Sequence, residues 1–234
     1  MQKNFVTILI PCLNEKETIG NIVKQSKQLL KHEKIPGEVL VVDNNSTDTS
    51  GRLAKKAGAR VVVCKKQGYG NAVRFGILQS KGAYIFLLDA DESYKPSLLL
   101  QFKAALEKNN YPDLIIGSRI KGTIAPHAMP FLHKRIGTPF LTKLINILFS
   151  LSLSDCNSGI RLFNKEAFKK LSLTANGMEF ASEMIIQAKL AKLSIIEIPV
   201  DFYPNKRILG KTHLRTIPDG FRHLANIVIH SIKK

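Results

Sequence analysis

At 234 residues and 44% hydrophobic content, the chain is long enough for one large domain with a proper core, or one domain with a C-terminal extension. No stretch approaches the roughly 20 uninterrupted apolar residues that cross a bilayer, and the first apolar run, Phe5 to Ile10, is too short for a signal peptide. A net charge of +17 draws the protein toward nucleic acid, anionic lipid or phosphorylated substrates, while Cys12, Cys64 and Cys156, odd in number and without a Cys-x-x-Cys, point to a reducing cytosol and away from a zinc site.

Phe5 to Ile10 reads as a strand that ends at Pro11-Cys12-Leu13-Asn14-Glu15. A helix follows from about Lys16 to Leu30, with Ile19, Ile22 and Val23 on one face. Glu38 to Val42 is a second strand, halted by Asp43-Asn44-Asn45-Ser46-Thr47-Asp48, and Ser50 to Ala57 is a second helix. Arg60 to Cys64 is a third strand, and Gly68-Tyr69-Gly70-Asn71 precedes a helix through Leu78. Tyr84 to Leu88 is the fourth strand. This alternation argues for an α/β layer with a mostly parallel sheet.

The fourth strand runs into Asp89-Ala90-Asp91, an apolar run that stops at two acids. Strand alternation would turn Asp89 and Asp91 to one side, making a hard-oxygen site suited to Mg²⁺ or Mn²⁺ together with substrate phosphates. The loop after the first strand lacks a Gly-x-Gly-x-x-Gly, which excludes the usual dinucleotide fold, and Gly210-Lys211-Thr212 lacks the earlier glycine of a P-loop.

Beyond the acids, Pro96 to Glu107 reads as a helix and Asp113 to Ile116 as a strand leading into Gly117-Ser118-Arg119. No acid occurs between Asp113 and Asp155, while Arg119, Lys121, Lys134, Arg135 and Lys143 are present. Thr138 to Leu153 is a helix, with Thr138 as its cap and Pro139 in its first turn. It reaches about 24 Å, short of a roughly 30 Å hydrocarbon core, so it lies either in the protein core or in a membrane interface, and periodicity favours the core. A polar loop, Asp155 to Arg161, comes next. Glu179 and Glu183 share a face of a helix running to about Ala191, where a surface charge pair is the plainest reading and a hydrolytic carboxylate pair the bolder one. Ile195 to Val200 is a late strand, and Pro218 to Lys234 is amphipathic.

These motifs, in order and spacing over roughly residues 5 to 215, resemble the family 2 glycosyltransferases with the GT-A fold. Within that family they are most similar to the dolichyl- or polyprenyl-phosphate hexose transferases of the dolichol-phosphate mannose synthase type. The matching stretches are Ile10 to Glu15, Val42 to Asp48, Gly68 to Ala72, Asp89-Ala90-Asp91, Gly117-Ser118-Arg119, Asp155 to Arg161, and Arg207 with the basic residues after it. The resemblance implies a three-layer, Rossmann-like α/β/α catalytic domain over residues 1–216, with 125–155 as a candidate membrane-interface segment and 217–234 as a C-terminal amphipathic helix.

It also implies that Pro11, Leu13, Glu15, Val42 and Asp43 hold the base and ribose of a nucleotide sugar. Asp89 contacts the nucleoside, with Ala90 in the same binding stretch, and Asp91 with Asp89 binds the Mg²⁺ or Mn²⁺ that bridges the diphosphate. Arg207 and His213 grip the donor phosphates. His213 stands where the family usually has Lys, which leaves Lys211 and Arg215 as candidates to share that task. Ser93 stands where the mannose synthases can offer a metal-binding Gln. Asp43 and Asp48 also read as a turn with a helix cap.

The implied activity is inverting, metal-dependent transfer of a hexose from a donor of the GDP-mannose or UDP-glucose type to a polyprenyl or dolichyl phosphate. It would take place at the cytoplasmic face of a membrane, through peripheral contact. Arg119, Lys134 and Arg135 are the candidates for holding the acceptor phosphate, which arrives ionised and needs cations rather than a base. The sequence alone assigns no histidine or glutamate a role as base there. A naturally short chain and one paired with a separate membrane subunit both remain open. The alternatives are a soluble family 2 transferase acting on a sugar or protein hydroxyl, and a catalytically silent nucleotide-sugar sensor. A nucleic-acid-binding protein explains the charge but not acids at strand ends, and no nucleic-acid module is present.

Overall fold

The computed structural model describes residues 5–207 and 216–232. Its strands are β1 (Val6–Cys12), β2 (Gly37–Asp43), β3 (Arg60–Val63), β4 (Tyr84–Leu87), β5 (Leu114–Ser118), β6 (Arg161–Asn164) and β7 (Ile195–Pro199). They form one sheet in the order β3-β2-β1-β4-β6-β5-β7. Every pairing is parallel except those of β6, which runs antiparallel to both β4 and β5. The fold is a three-layer α/β/α sandwich.

The layers follow from strand alternation. In β1, Ile8 and Ile10 point into one core and Leu9 into the other. A central parallel strand is buried on both faces, which is why its sequence is a continuous apolar run. The first face is covered by α1 (Ile19–His32), α2 (Ser50–Lys56) and α4 (Leu98–Lys108). The second is covered by α3 (Tyr69–Gln79), α5 (Thr138–Phe149), α7 (Phe180–Leu190) and α8 (Thr216–Ile232), while the short α6 (Lys165–Phe168) follows β6. Since β1, β2 and β4 are parallel and in register, with Cys12 beside Asp43 and Leu9 beside Leu87, their C-terminal loops gather at one sheet edge.

Three expectations change. β4 stops at Leu87, so Asp89 and Asp91 stand on a turn, which Glu92 tightens at φ 62°, rather than on an alternating strand. Thr138 does not cap α5: a π-helical turn, His133–Gly137, feeds straight into the helix, and the Thr138 carbonyl accepts from Thr142 Oγ1 at 2.7 Å. The helix ends at Phe149, where Ser150 turns left-handed at φ 52°, so Leu151 and Leu153 pack on the core from a loop. Strand β6 was not anticipated. Its four residues carry too little pattern to separate them from the polar loop ahead, and pairing with two neighbours makes them a strand.

Candidate active site

The loops at the shared sheet edge are stitched together by short polar side chains. Asn14, at φ 53°, donates its N–H to Ser46 Oγ at 3.0 Å, and its side-chain oxygen accepts from Thr47 N at 2.8 Å. Asp43 Oδ1 accepts from Ser46 N at 2.9 Å, and Asp48 Oδ1 accepts from Ser50 N at 2.8 Å. Asp48 therefore forms an Asx turn that also holds the start of α2, while Asp43 fastens the turn three residues on. Asn44, buried, accepts from Gly68 N at 2.8 Å and donates to the Lys66 carbonyl at 2.8 Å, tying β2 to the start of α3.

Among the residues expected at a nucleotide, Pro11 and Leu13 are half-buried at this edge. The side chains of Val42 and Ala90 are buried in the two cores, so any contact from either is through backbone. Glu15 differs from the expectation more sharply. Its carboxylate is only 3% exposed and is taken up by Arg207, whose Nε lies 2.9 and 3.0 Å from its two oxygens. His213, Lys211 and Arg215 lie outside the described residues.

Asp91 Oδ1 accepts from Ser93 N at 3.0 Å, and Oδ2 lies 3.3 Å from Arg207 Nη1. Desolvation and the neighbouring Asp91 carboxylate push the Asp89 carboxyl up, against the pull of Arg207 and Arg119. Gly159 makes this packing possible, because a Cβ there would strike the Asp89 carboxylate. Two neighbouring carboxylates at one turn have the donor chemistry of a Mg²⁺ or Mn²⁺ site. Among the described residues no group of three or more His, Cys, Asp or Glu side chains forms a metal cluster. Asp89 and Asp91 therefore fit a cation completed by phosphate and water, the habit of Mg²⁺.

Arg119, Lys134 and Arg135 come together. With Ile120, Gly122, Ile124 and Pro139 they line an open pocket of about 400 Å³. Arg119 is already engaged: its Nε and Nη2 donate to the two oxygens of Asp155 at 2.7 and 2.8 Å, and its guanidinium lies over the Phe202 ring. Lys134 and Arg135 sit on the π-helical turn and are the more accessible cations. His133 on the same turn is close to Arg119, and burial and that charge together lower its pKa. Local pattern carries no sign of it, because the π turn is what brings it there.

Glu183 is no surface charge. It is fully buried, accepting from Thr174 N and Thr174 Oγ1 at 2.9 Å and from Ala175 N at 2.9 Å. Glu179, at the start of α7, accepts from Gly177 N at 2.9 Å. The solvated surface pair is therefore not what forms: Glu183 anchors the loop before α7.

The chain is 35% identical over 230 residues to the low-salt glycan biosynthesis hexosyltransferase Agl6 of Haloferax volcanii, covering 97% of this chain and 54% of Agl6. It thus spans about half of that relative's length. It is 30% identical over 216 residues to the glycosyltransferase AglJ of the same organism, covering 92% of this chain and 68% of AglJ. Among solved structures, glucosyl-3-phosphoglycerate synthase from Mycobacterium tuberculosis, in complex with Mn²⁺, UDP and phosphoglyceric acid, superposes with a TM-score of 0.77. That match is 17% identical and covers 97% of this chain and 78% of the other. It establishes the GT-A type of fold. The sequence model described as glycosyl transferase family 2 matches residues 7–172, and with these relatives it shows that the chain belongs to glycosyl transferase family 2.

Proposed function

We propose that the chain transfers a hexose from a nucleoside diphosphate sugar to a polyprenyl phosphate, with inversion and with a divalent cation, at the cytoplasmic face of a membrane that it contacts peripherally. The supporting observation is the pocket lined by Arg119, Lys134 and Arg135, because the Arg119 charge is near enough to act on Asp89 and the turn carrying Lys134 and Arg135 continues an exposed apolar stripe. Leu132, Ile136, Phe140 and Ile147 recur at helical spacing along the π turn and α5, and all are exposed. A phosphate held by the pocket would have its hydrocarbon tail laid along that stripe. Among the described residues, no helix is long and apolar enough to cross a membrane.

In this reading the donor lies over the loops after β1 and β2, with its diphosphate toward Asp91 and Arg207. A cation bound there supplies charge stabilisation for the departing diphosphate, as the Mn²⁺ and Mg²⁺ complexes of the mycobacterial synthase suggest by analogy. Asp155 holds Arg119 in a fixed fork at the pocket wall, and Lys134 and Arg135 neutralise the acceptor phosphate. The acceptor oxygen is already ionised, so no residue need remove a proton. The sugar's anomeric carbon then exchanges its bond to the diphosphate for one to the acceptor phosphate, on the opposite face.

One observation favours the second reading, a family 2 transferase acting on a hydroxyl. His133 stands on the π-helical turn next to the pocket-lining Lys134 and near Arg119, and an imidazole is the commonest general base for a hydroxyl. Assay of labelled UDP- and GDP-sugars with short polyprenyl phosphates and the matching prenols separates the two. Organic-extractable product from the phosphates alone supports the proposal, and product from free prenols or simple sugars overturns it.

A further inference from the structure

Arg207 reaches Glu15 across 192 residues of sequence. Its Nε and Nη2 both donate to the Glu15 carboxylate, while its third nitrogen, Nη1, lies 3.3 Å from Asp91 Oδ2. The backbone that carries it is fastened to the same turn. Tyr203 N donates to the Ser93 carbonyl at 3.0 Å, and Lys206 N donates to the Asp91 carbonyl at 3.1 Å. Lys206 Nζ also pairs with Glu92 at 2.7 Å. Residues 203–207 therefore lie as a strap over the Asp91–Ser93 turn, with one guanidinium shared between two carboxylates.

The two carboxylates are not equivalent. Glu15 is 3% exposed and takes two guanidinium nitrogens; Asp91 takes one, at the longer distance. A buried carboxylate is costly to leave unpaired, so the Glu15 half of the contact is the fixed one and the Asp91 half the exchangeable one. A divalent cation on Asp91 would compete with Nη1 for the same oxygen and would be repelled by the guanidinium. A diphosphate reverses that sign, since its oxygens can accept from Arg207 and bind the cation together.

We infer that Glu15 is a positioning residue that aims Arg207 at Asp91, and that Arg207 is an internal counter-cation which a divalent metal displaces from Asp91 only in company with a nucleoside diphosphate. This rests on the donor site proposed above and adds a rule to it: metal and nucleotide bind together, and Arg207 opposes the first alone while favouring the pair. Glu15 then acts through Arg207, not on the base or ribose.

The test measures Mn²⁺ binding by the full chain, first alone and then with UDP or GDP. Arg207→Ala is expected to bind Mn²⁺ alone about tenfold tighter than the unsubstituted chain, and Mn²⁺ with nucleotide about tenfold more weakly. Arg207→Lys keeps the charge, so its affinity for Mn²⁺ alone should stay within about threefold, which separates charge competition from loosening of the strap. Glu15→Gln frees the guanidinium to turn fully onto Asp91 and should weaken Mn²⁺ binding alone. If Arg207→Ala binds Mn²⁺ alone no more tightly while the unsubstituted chain binds Mn²⁺ with nucleotide, the exchange is wrong and the donor site stands. If the unsubstituted chain binds neither, the inference and the donor site fall together.

Discussion

Arg119 and Asp155 form a two-pronged ion pair in which the carboxylate is wholly buried: Nε and Nη2 of the arginine meet its two oxygens, and the Arg119 backbone N–H adds a third donor at 3.1 Å. Asp155 in turn sits on a loop held by Glu197, which accepts from Ser154 N at 3.0 Å and Asp155 N at 2.9 Å. The arginine read from sequence as a candidate for holding the acceptor phosphate is thus also a tie between the end of β5 and the loop before β6.

Removing that arginine leaves a buried charge unpaired, which typically costs about 3–5 kcal/mol. Arg119→Ala is therefore expected to lower unfolding free energy by an amount of that order, and its lost activity would not by itself report on the acceptor. Denaturant unfolding of Arg119→Ala, set against Asp155→Ala and the double variant, measures the coupling. A loss below about 1 kcal/mol would contradict the tie.

The acceptor role is better tested at Lys134 and Arg135, which line the pocket from the π-helical turn. Lys134→Ala with Arg135→Ala should leave the thermal midpoint nearly unchanged and raise the KM for polyprenyl phosphate roughly tenfold or more, as expected for removing two phosphate contacts. KM for the nucleotide sugar should stay put. Steady-state kinetics with each substrate varied in turn checks the split.

Asp91→Asn removes a charged oxygen from the proposed cation site while keeping the side chain's shape and the Ser93 N–H contact. Loss of a preorganised charge at a developing leaving group commonly reduces rate by about 10²–10³-fold. EDTA should abolish activity of the unsubstituted chain, and added Mg²⁺ or Mn²⁺ should restore it. Unchanged turnover by Asp91→Asn in chelator would remove Asp91 from the reaction.

Membrane contact is expected from the outer face of α5, not from Leu144 and Leu148, which are half-buried against the core. Ile147 is 66% exposed and Phe140 57%, with Lys143 exposed between them. Phe140→Glu with Ile147→Glu should preserve the fold and abolish sedimentation with anionic vesicles, and rising salt should weaken binding of the unsubstituted chain. Undiminished sedimentation of the double variant would rule out this face.

Burial lowers the pKa of His223 to about 4, with Glu179 and Asp219 pulling the other way and Arg161 adding to the fall. The ring meets Ser182 Oγ through Nδ1 at 2.8 Å. An unfolded histidine titrates near 6.5, so the unfolded state binds more protons between the two values and stability falls as pH drops through that window. From pH 6.5 to 4 the loss from this group approaches about 3 kcal/mol. Unfolding of His223→Gln across the same range should show a shallower slope, and an identical slope would show that other groups carry the effect.

The sequence by itself determined the alternating α/β layer, because strands buried on both faces must be apolar runs and helices must show one apolar side. It also determined where the carboxylates stand, since acids that end such runs mark the sheet's edge. Tertiary structure decided the rest. Strand β6 exists because β4 and β5 both offer it partners, a pairing that four residues of local pattern cannot announce. The burial of Glu183 depends on backbone N–H groups from the loop folded against it, and the pairing of Glu15 with Arg207 on contact between opposite ends of the chain. Whether a charged side chain faces substrate, solvent or a partner is set by which desolvated neighbour it meets, and that neighbour is brought by the fold rather than by adjacency in the chain.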